Sequence, residues 1–177
     1  KSPIKLSANE SALGASPKAV KAYNFTANSF FRYPDSDGTF LRKTLAKKFG
    51  LDKNRIILGS GSDQIFELVC KLFLTKNDEV IVSEYSFIIY RIYSGMCEAK
   101  VKYAKENNFR ASVNLILNCV TRKTKIVFLA NPNNPTGTYL SKTEMLELRR
   151  KLRGDTLLVV DDAYFQYIDD SNYSSGL

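Results

Sequence analysis

The chain has 177 residues and a net charge of +8, from 26 basic against 18 acidic side chains, which is enough length for one domain with a sizeable core. It contains no histidine, which excludes a Ser-His or Cys-His nucleophile and any histidine-ligated metal within the chain. The positive charges are scattered, with no zinc-finger spacing and no RNP-type aromatic pattern; nucleic acid is therefore not expected as a partner, and small phosphorylated molecules remain.

Ser16-Pro17 reads as a cap followed by a first-turn proline, opening a helix to about Asn28. "FFRYPDSDG" breaks the pattern as a loop. Residues 39–49 carry Phe40, Leu41, Leu45 and Phe49 on one side and stop at Gly50. "RIILGS" reads as a buried strand. Ser62 is expected to cap the next helix, with Ile65, Phe66, Val69, Leu72 and Phe73 inward. The alternation then continues: strand "EVIVSE", helix 86–96, strand "AKVKYA", helix 112–121, strand "KIVFLA", a helix from the Ser141 cap through Leu152, and strand "TLLVVD". Such alternation implies an α/β domain with a mostly parallel sheet and helices on both faces.

Three widely spaced cysteines do not suggest a disulfide framework. Cys70 and Cys119 lie in apolar helical patterns and are expected to be buried and reduced. The opening "KSPIKLSANE" lacks the apolar stretch of a signal peptide, and no apolar run approaches membrane-spanning length. A cytoplasmic protein without membrane partners is expected.

Ligands of open α/β sheets bind beyond the carboxyl ends of the strands. Gly59-Ser60-Gly61-Ser62-Asp63 follows the first expected strand, Tyr85 the second, the amide- and proline-rich 131–137 run a later one, and Asp161-Asp162-Ala163-Tyr164 the last. The glycine loop leading into a helix leaves backbone N–H groups free to seat an anion. By itself it reads more readily as an ordinary turn with a serine cap, because Gln64 replaces the third glycine of a Rossmann fingerprint and no Gly-Lys-Ser/Thr follows. Asp161 ends an apolar run, where a carboxylate needs a cation or several donors; alone it reads equally as a turn cap. Tyr85 offers a flat surface for a ring, or simply core packing. In "NPNNPTG", Pro132 and Pro135 stiffen the loop and Gly137 permits a left-handed turn, so asparagine side chains are held in fixed directions.

"NPNNPTG" followed by a strand ending "DDAY" resembles the fold-type I pyridoxal-phosphate (PLP) enzymes, the aspartate aminotransferase superfamily. "LSANESALG", "RYPD", "LGSGSDQ", "YSFIIY", "KTKIVFLANPNNPTG" and "TLLVVDDAYFQY" are similar to histidinol-phosphate aminotransferases, in the same order along essentially the whole chain. The resemblance implies a partial large domain of the aspartate aminotransferase fold, with residues 1–34 as an N-terminal arm and start of a small domain, and 35–177 as the first part of the PLP-binding domain. It implies that Asp161 binds the pyridine nitrogen, Asn134 and Tyr164 the phenolic oxygen, and Ser62 and Asp63 the phosphate. Tyr85 would stack on the ring. Tyr33 would reach the phosphate of a neighbouring subunit's cofactor in a homodimer. Asn9 and Glu10 would lie near the substrate, a phosphorylated amino compound exchanging nitrogen with glutamate. No metal is implied. Two departures are visible: the family's Asn-Glu-Asn-Pro reads Asn9-Glu10-Ser11-Ala12, and its Asp-Glu-Ala-Tyr reads Asp161-Asp162-Ala163-Tyr164.

The resemblance also implies a lysine, well beyond the "DDAY" strand, that forms a Schiff base with the cofactor. The last lysine here is Lys151 and the last arginine Arg153. None of the lysines falls on the catalytic position, so the chain is expected to stop mid-domain and to lack transaminase activity alone. A remnant of a truncated gene, or a PLP-dependent decarboxylase of a phosphorylated amino acid, are the alternatives.

Overall fold

The structure, a computed structural model, describes residues 3–177. Its helices are α1 (Pro17–Thr26), α2 (Thr39–Phe49), α3 (Gly61–Phe73), α4 (Ile89–Met96), α5 (Val113–Asn118) and α6 (Lys142–Lys151). Strands β1 (Glu79–Ser83), β2 (Lys100–Ala104), β3 (Thr124–Ala130) and β4 (Leu157–Asp161) form one sheet in the order β2-β1-β3-β4. Every pairing is parallel.

Alternation along the central strands divides the core into two layers. Val80, Val82, Ile126 and Phe128 face α3 and α4, meeting Phe66, Cys70 and Tyr90. Ile81, Val127 and Leu129 face α5 and α6, meeting Val113, Ile116 and Leu148. Helices therefore cover both faces, as the continuous apolar strands require. Ser141 caps α6 through a capping box with Glu144, an arrangement worth about 1 kcal/mol. Burial pushes the Cys70 thiol up to about 11, and all three cysteines are free.

β2 lies on one side of β1 and β3 on the other. The chain thus reverses direction across the sheet at β1, and a crevice opens where these strands end.

Several sequence expectations need correction. "RIILGS" is not a strand: it pairs with no strand among the described residues, and Ile57 is 79% exposed. An apolar run supplies side chains, but a strand also needs a hydrogen-bonding neighbour. Helix α3 starts at Gly61, with Ser60 rather than Ser62 in the cap position, because Gly61 takes a left-handed φ of 71° at the turn. Gln64 accepts the Ser60 N–H at 2.7 Å. Of the expected inward face, Phe66 is buried but Leu72 is 76% exposed. Helices α1 and α2 bury no residue; Phe40, placed on the inward face of α2, is exposed. Cys119 is half-buried at the end of α5 rather than enclosed.

Candidate functional site

The ends of β3 and β4 and the first turn of α3 enclose a hollow of about 140 Å³ lined by Ser62, Asp63, Phe87, Ala130, Pro132, Asn134, Asp161, Ala163 and Tyr164. A second hollow of about 510 Å³ shares Pro132, Asn134 and Tyr164 with it and adds Asn9, Glu10, Ser11, Tyr167 and Ile168 among its walls. Asn9 joins the two levels by donating from Nδ2 to the Tyr164 hydroxyl at 2.9 Å.

Asp161 is the final residue of β4, and its backbone carbonyl accepts the Asn131 N–H. Its Oδ2 receives the Tyr90 hydroxyl at 2.6 Å, and its Oδ1 the Ala163 N–H at 3.1 Å. Two donors still leave acceptor positions on the carboxylate for a further cationic donor. Tyr90 is completely buried, stacked on Phe128 with ring centroids 4.9 Å apart. Burial first, and then the Asp161 charge, push its hydroxyl far above the ordinary phenol range, so it stays a donor. Sequence reasoning missed Tyr90. Its place on the buried face of α4 is visible from periodicity, but the carboxylate it serves is 71 residues away.

The amide loop divides its labour. The Asn131 side chain, 1% exposed, bonds both backbone groups of Leu140: Oδ1 accepts its N–H at 2.7 Å and Nδ2 donates to its carbonyl at 3.2 Å. Asn133 donates to the Tyr85 carbonyl at 3.2 Å and to Thr136 Oγ1 at 2.8 Å. Asn131 therefore braces the loop from within and Asn133 ties it to its neighbours. Asn134 lines both hollows. Both Asn-Pro bonds, 131–132 and 134–135, are cis, and Gly137 has the left-handed φ of 72° that the turn needs.

Arg110 anchors the loop from outside. It donates to the Tyr139 carbonyl and, bidentately, to Glu144. That hydrogen-bonded pairing holds the Glu144 carboxyl down at about 2. A depressed carboxylate stabilises the fold above its unfolded pKa near 4.5 and loses that contribution as pH falls through the folded value. Arg110→Ala is therefore expected to flatten the acid limb of a stability-versus-pH curve between about pH 4.5 and 2. Denaturant midpoints across that window check it, and an unchanged limb would contradict the pairing.

Five of the nine sequence-derived candidates, Ser62, Asp63, Asn134, Asp161 and Tyr164, line the smaller hollow. Asn9 and Glu10 line the larger. The Tyr85 ring lines neither; it is 45% exposed and packs at a tilt on Phe109, centroids 5.2 Å apart. Phe87 is the aromatic that reaches the smaller hollow. Tyr33 is fully exposed and takes no part in either.

No lysine or arginine lines either hollow among the described residues. What the site offers is the N–H groups of an α-helix first turn, an acid, an amide and a phenol converging within one small space. It suits a flat molecule carrying an anionic group at one end and a protonated ring nitrogen at the other. The described residues contain no helix long and apolar enough to cross a membrane.

Residues 1–174 match the family model for aminotransferase class I and II. A histidinol-phosphate aminotransferase of Pelagibacter ubique is 54% identical over 98% of this chain and 48% of its own length. One from Paramagnetospirillum magneticum is 46% identical, with the same coverage. Among solved structures, the histidinol-phosphate aminotransferase of Sinorhizobium meliloti in complex with pyridoxal-5'-phosphate superposes with a TM-score of 0.89 at 24% identity, over 94% of this chain and 45% of that one. The L-threonine-O-3-phosphate decarboxylase of Porphyromonas gingivalis does so with a TM-score of 0.73 at 26% identity, over 88% and 47%. The chain spans about half the length of the curated relatives it matches. With that match running almost from end to end, the chain belongs to the class I and II aminotransferase family.

Proposed function

We propose that the chain is the N-terminal portion of a pyridoxal-phosphate-dependent aminotransferase, and that the whole protein exchanges nitrogen between histidinol phosphate and 2-oxoglutarate in histidine biosynthesis. The convergence of Ser62, Asp63, Asn134, Asp161 and Tyr164 on one hollow carries the cofactor assignment. The 54% identity to the Pelagibacter enzyme supports the substrate.

When bound, the cofactor supplies a protonated pyridine ring that withdraws electrons from the reacting carbon. Asp161 would keep the proton on that ring nitrogen, itself held in place by Tyr90. Asn134 and Tyr164 would hold the phenolic oxygen. The Ser62 and Asp63 N–H groups, in the first turn of α3, would hold the phosphate. Asn9, through Tyr164, and Glu10 would border the substrate. Tyr33, free of any role within its own protomer's hollows, fits a homodimer in which it serves the neighbouring site. The free cysteines agree with a cytoplasmic setting. The 177-residue chain alone would bind cofactor without turning substrate over, since no lysine lines the site.

Titrating the chain with pyridoxal phosphate, read by cofactor absorbance, tests the assignment. Asp161→Ala removes a charged hydrogen bond worth about 1.5–3 kcal/mol, so affinity is expected to fall about 10- to 150-fold. Equal binding by the variant would end the assignment. The likeness to the Porphyromonas decarboxylase favours one second reading, decarboxylation of a phosphorylated amino acid. Release of carbon dioxide from phosphothreonine by the whole protein, without amino transfer from histidinol phosphate, would select it.

A further inference from the structure

Tyr85 is held by both sides of its backbone. Its N–H donates to Glu106 Oε1 at 3.2 Å, and its carbonyl accepts from Asn133 Nδ2 at 3.2 Å. The grip is costly. Glu106 Oε2 and Asn133 Oδ1 are buried without a hydrogen-bond partner, and such orphans are rare unless something else requires the side chain there. Just after Glu106, Asn108 and Phe109 take left-handed φ values of 50° and 60°. Side chains as bulky as phenylalanine avoid that region unless their surroundings impose it. The surroundings do: Thr138 Oγ1 donates to the Phe109 carbonyl at 2.8 Å, and Arg110 is locked to Tyr139 and Glu144. The strained turn brings the Phe109 ring against Tyr85. Two unsatisfied oxygens and two strained residues thus surround one tyrosine.

We propose that Glu106 is a positioning residue: by gripping the Tyr85 N–H it fixes Tyr85 beside the amide loop and holds its ring against Phe109. Any contact of that ring with a ligand rests on the cofactor reading above; the fixing of Tyr85 does not. Burial, offset in part by the Tyr85 N–H and reinforced by the like charge of Glu84, holds the Glu106 carboxyl above the usual range. Glu84 is itself paired with Lys105 at 2.6 Å. A neutral glutamine keeps the accepting oxygen and is therefore the closest substitute.

The chain has no tryptophan, so Tyr85→Trp introduces a single fluorescent reporter at the position in question. In that background Glu106→Ala is expected to raise acrylamide quenching about twofold, the change from a ring 45% exposed to one freely exposed. Glu106→Gln is expected to leave quenching at the parent level. Unchanged quenching in the alanine variant, with its circular dichroism intact, overturns the proposal; so does an equal rise in the glutamine variant. Should the alanine variant fail to fold, amide exchange decides in the parent chain. Slow exchange at the Tyr85 N–H supports the bond to Glu106, and exchange at the rate of an open chain refutes it. Neither readout needs cofactor, so failure of pyridoxal phosphate to bind would strike the functional reading and leave this result standing.

Discussion

Purified 177-residue chain, supplied with pyridoxal phosphate, glutamate and an imidazole-bearing keto phosphate ester, is expected to release no 2-oxoglutarate above the rate of the cofactor alone. Amino transfer needs an amine that can act first as nucleophile and then as proton carrier at the reacting carbon. Positioned acid–base groups of this kind contribute about 10²- to 10⁴-fold each. No lysine lines either hollow among the described residues, and the chain has none beyond Lys151. Lys71, Lys102, Lys105 and Lys151 are each paired with a glutamate within 2.9 Å. The hydrogen bond to Glu67 holds the Lys71 ammonium, and that to Glu84 the Lys105 ammonium, above the usual lysine range. Borohydride reduction in the presence of cofactor should accordingly label no single lysine stoichiometrically. Turnover proportional to chain concentration, or one dominant labelled lysine, would overturn this expectation.

Tyr90 carries the second large effect. Tyr90→Phe removes the hydroxyl that Asp161 Oδ2 accepts at 2.6 Å, at a cost of about 1–3 kcal/mol for the acceptor left behind. Tyr90→Ala also deletes a ring stacked on Phe128 and edge-on to Phe66 and Phe87, and should cost about 3–5 kcal/mol in all. For a chain of this size each kcal/mol lowers the melting temperature by about 2–4 °C. The two variants should therefore separate clearly in a thermal scan. If alanine costs no more than phenylalanine, the ring is not part of the core. If phenylalanine costs nothing, the hydroxyl does not support Asp161. The pH dependence has a definite sign. The Tyr90 pKa is raised in the folded state, so its contribution is complete below the ordinary value of 10.0 and is lost as pH rises above it. Tyr90→Phe should remove that part of the alkaline destabilisation.

Much of the site was legible because its signals are local. A capping serine with glutamate three positions on, a glycine at a left-handed turn and an apolar run of strand length each act over a few residues. Ser141, Gly137 and β3 accordingly sit where their sequence places them. So does the gathering of Asn134, Asp161 and Tyr164, because every parallel strand delivers its last residues to the same edge. The misread strand and helix faces share one cause, which is that burial and pairing depend on distant partners. "RIILGS" has the composition of a strand and no neighbour to pair with among the described residues, and α2 has an apolar face with nothing described to cover it.

Taken alone, the order of residues determined an α/β chain, the helix starts at Ser16-Pro17 and Ser141, and the set of polar groups that could meet a ligand. Tertiary structure decided which of those groups face the hollow and which hold the loop that forms it. Asn131 and Asn134 are indistinguishable by type and lie three positions apart, yet one spans the Leu140 backbone and the other lines the crevice. The same holds for Tyr90 and Asp161, joined across 71 residues. Direction of a side chain is set by what packs behind it, and that is fixed only when the strands and helices close around a common core.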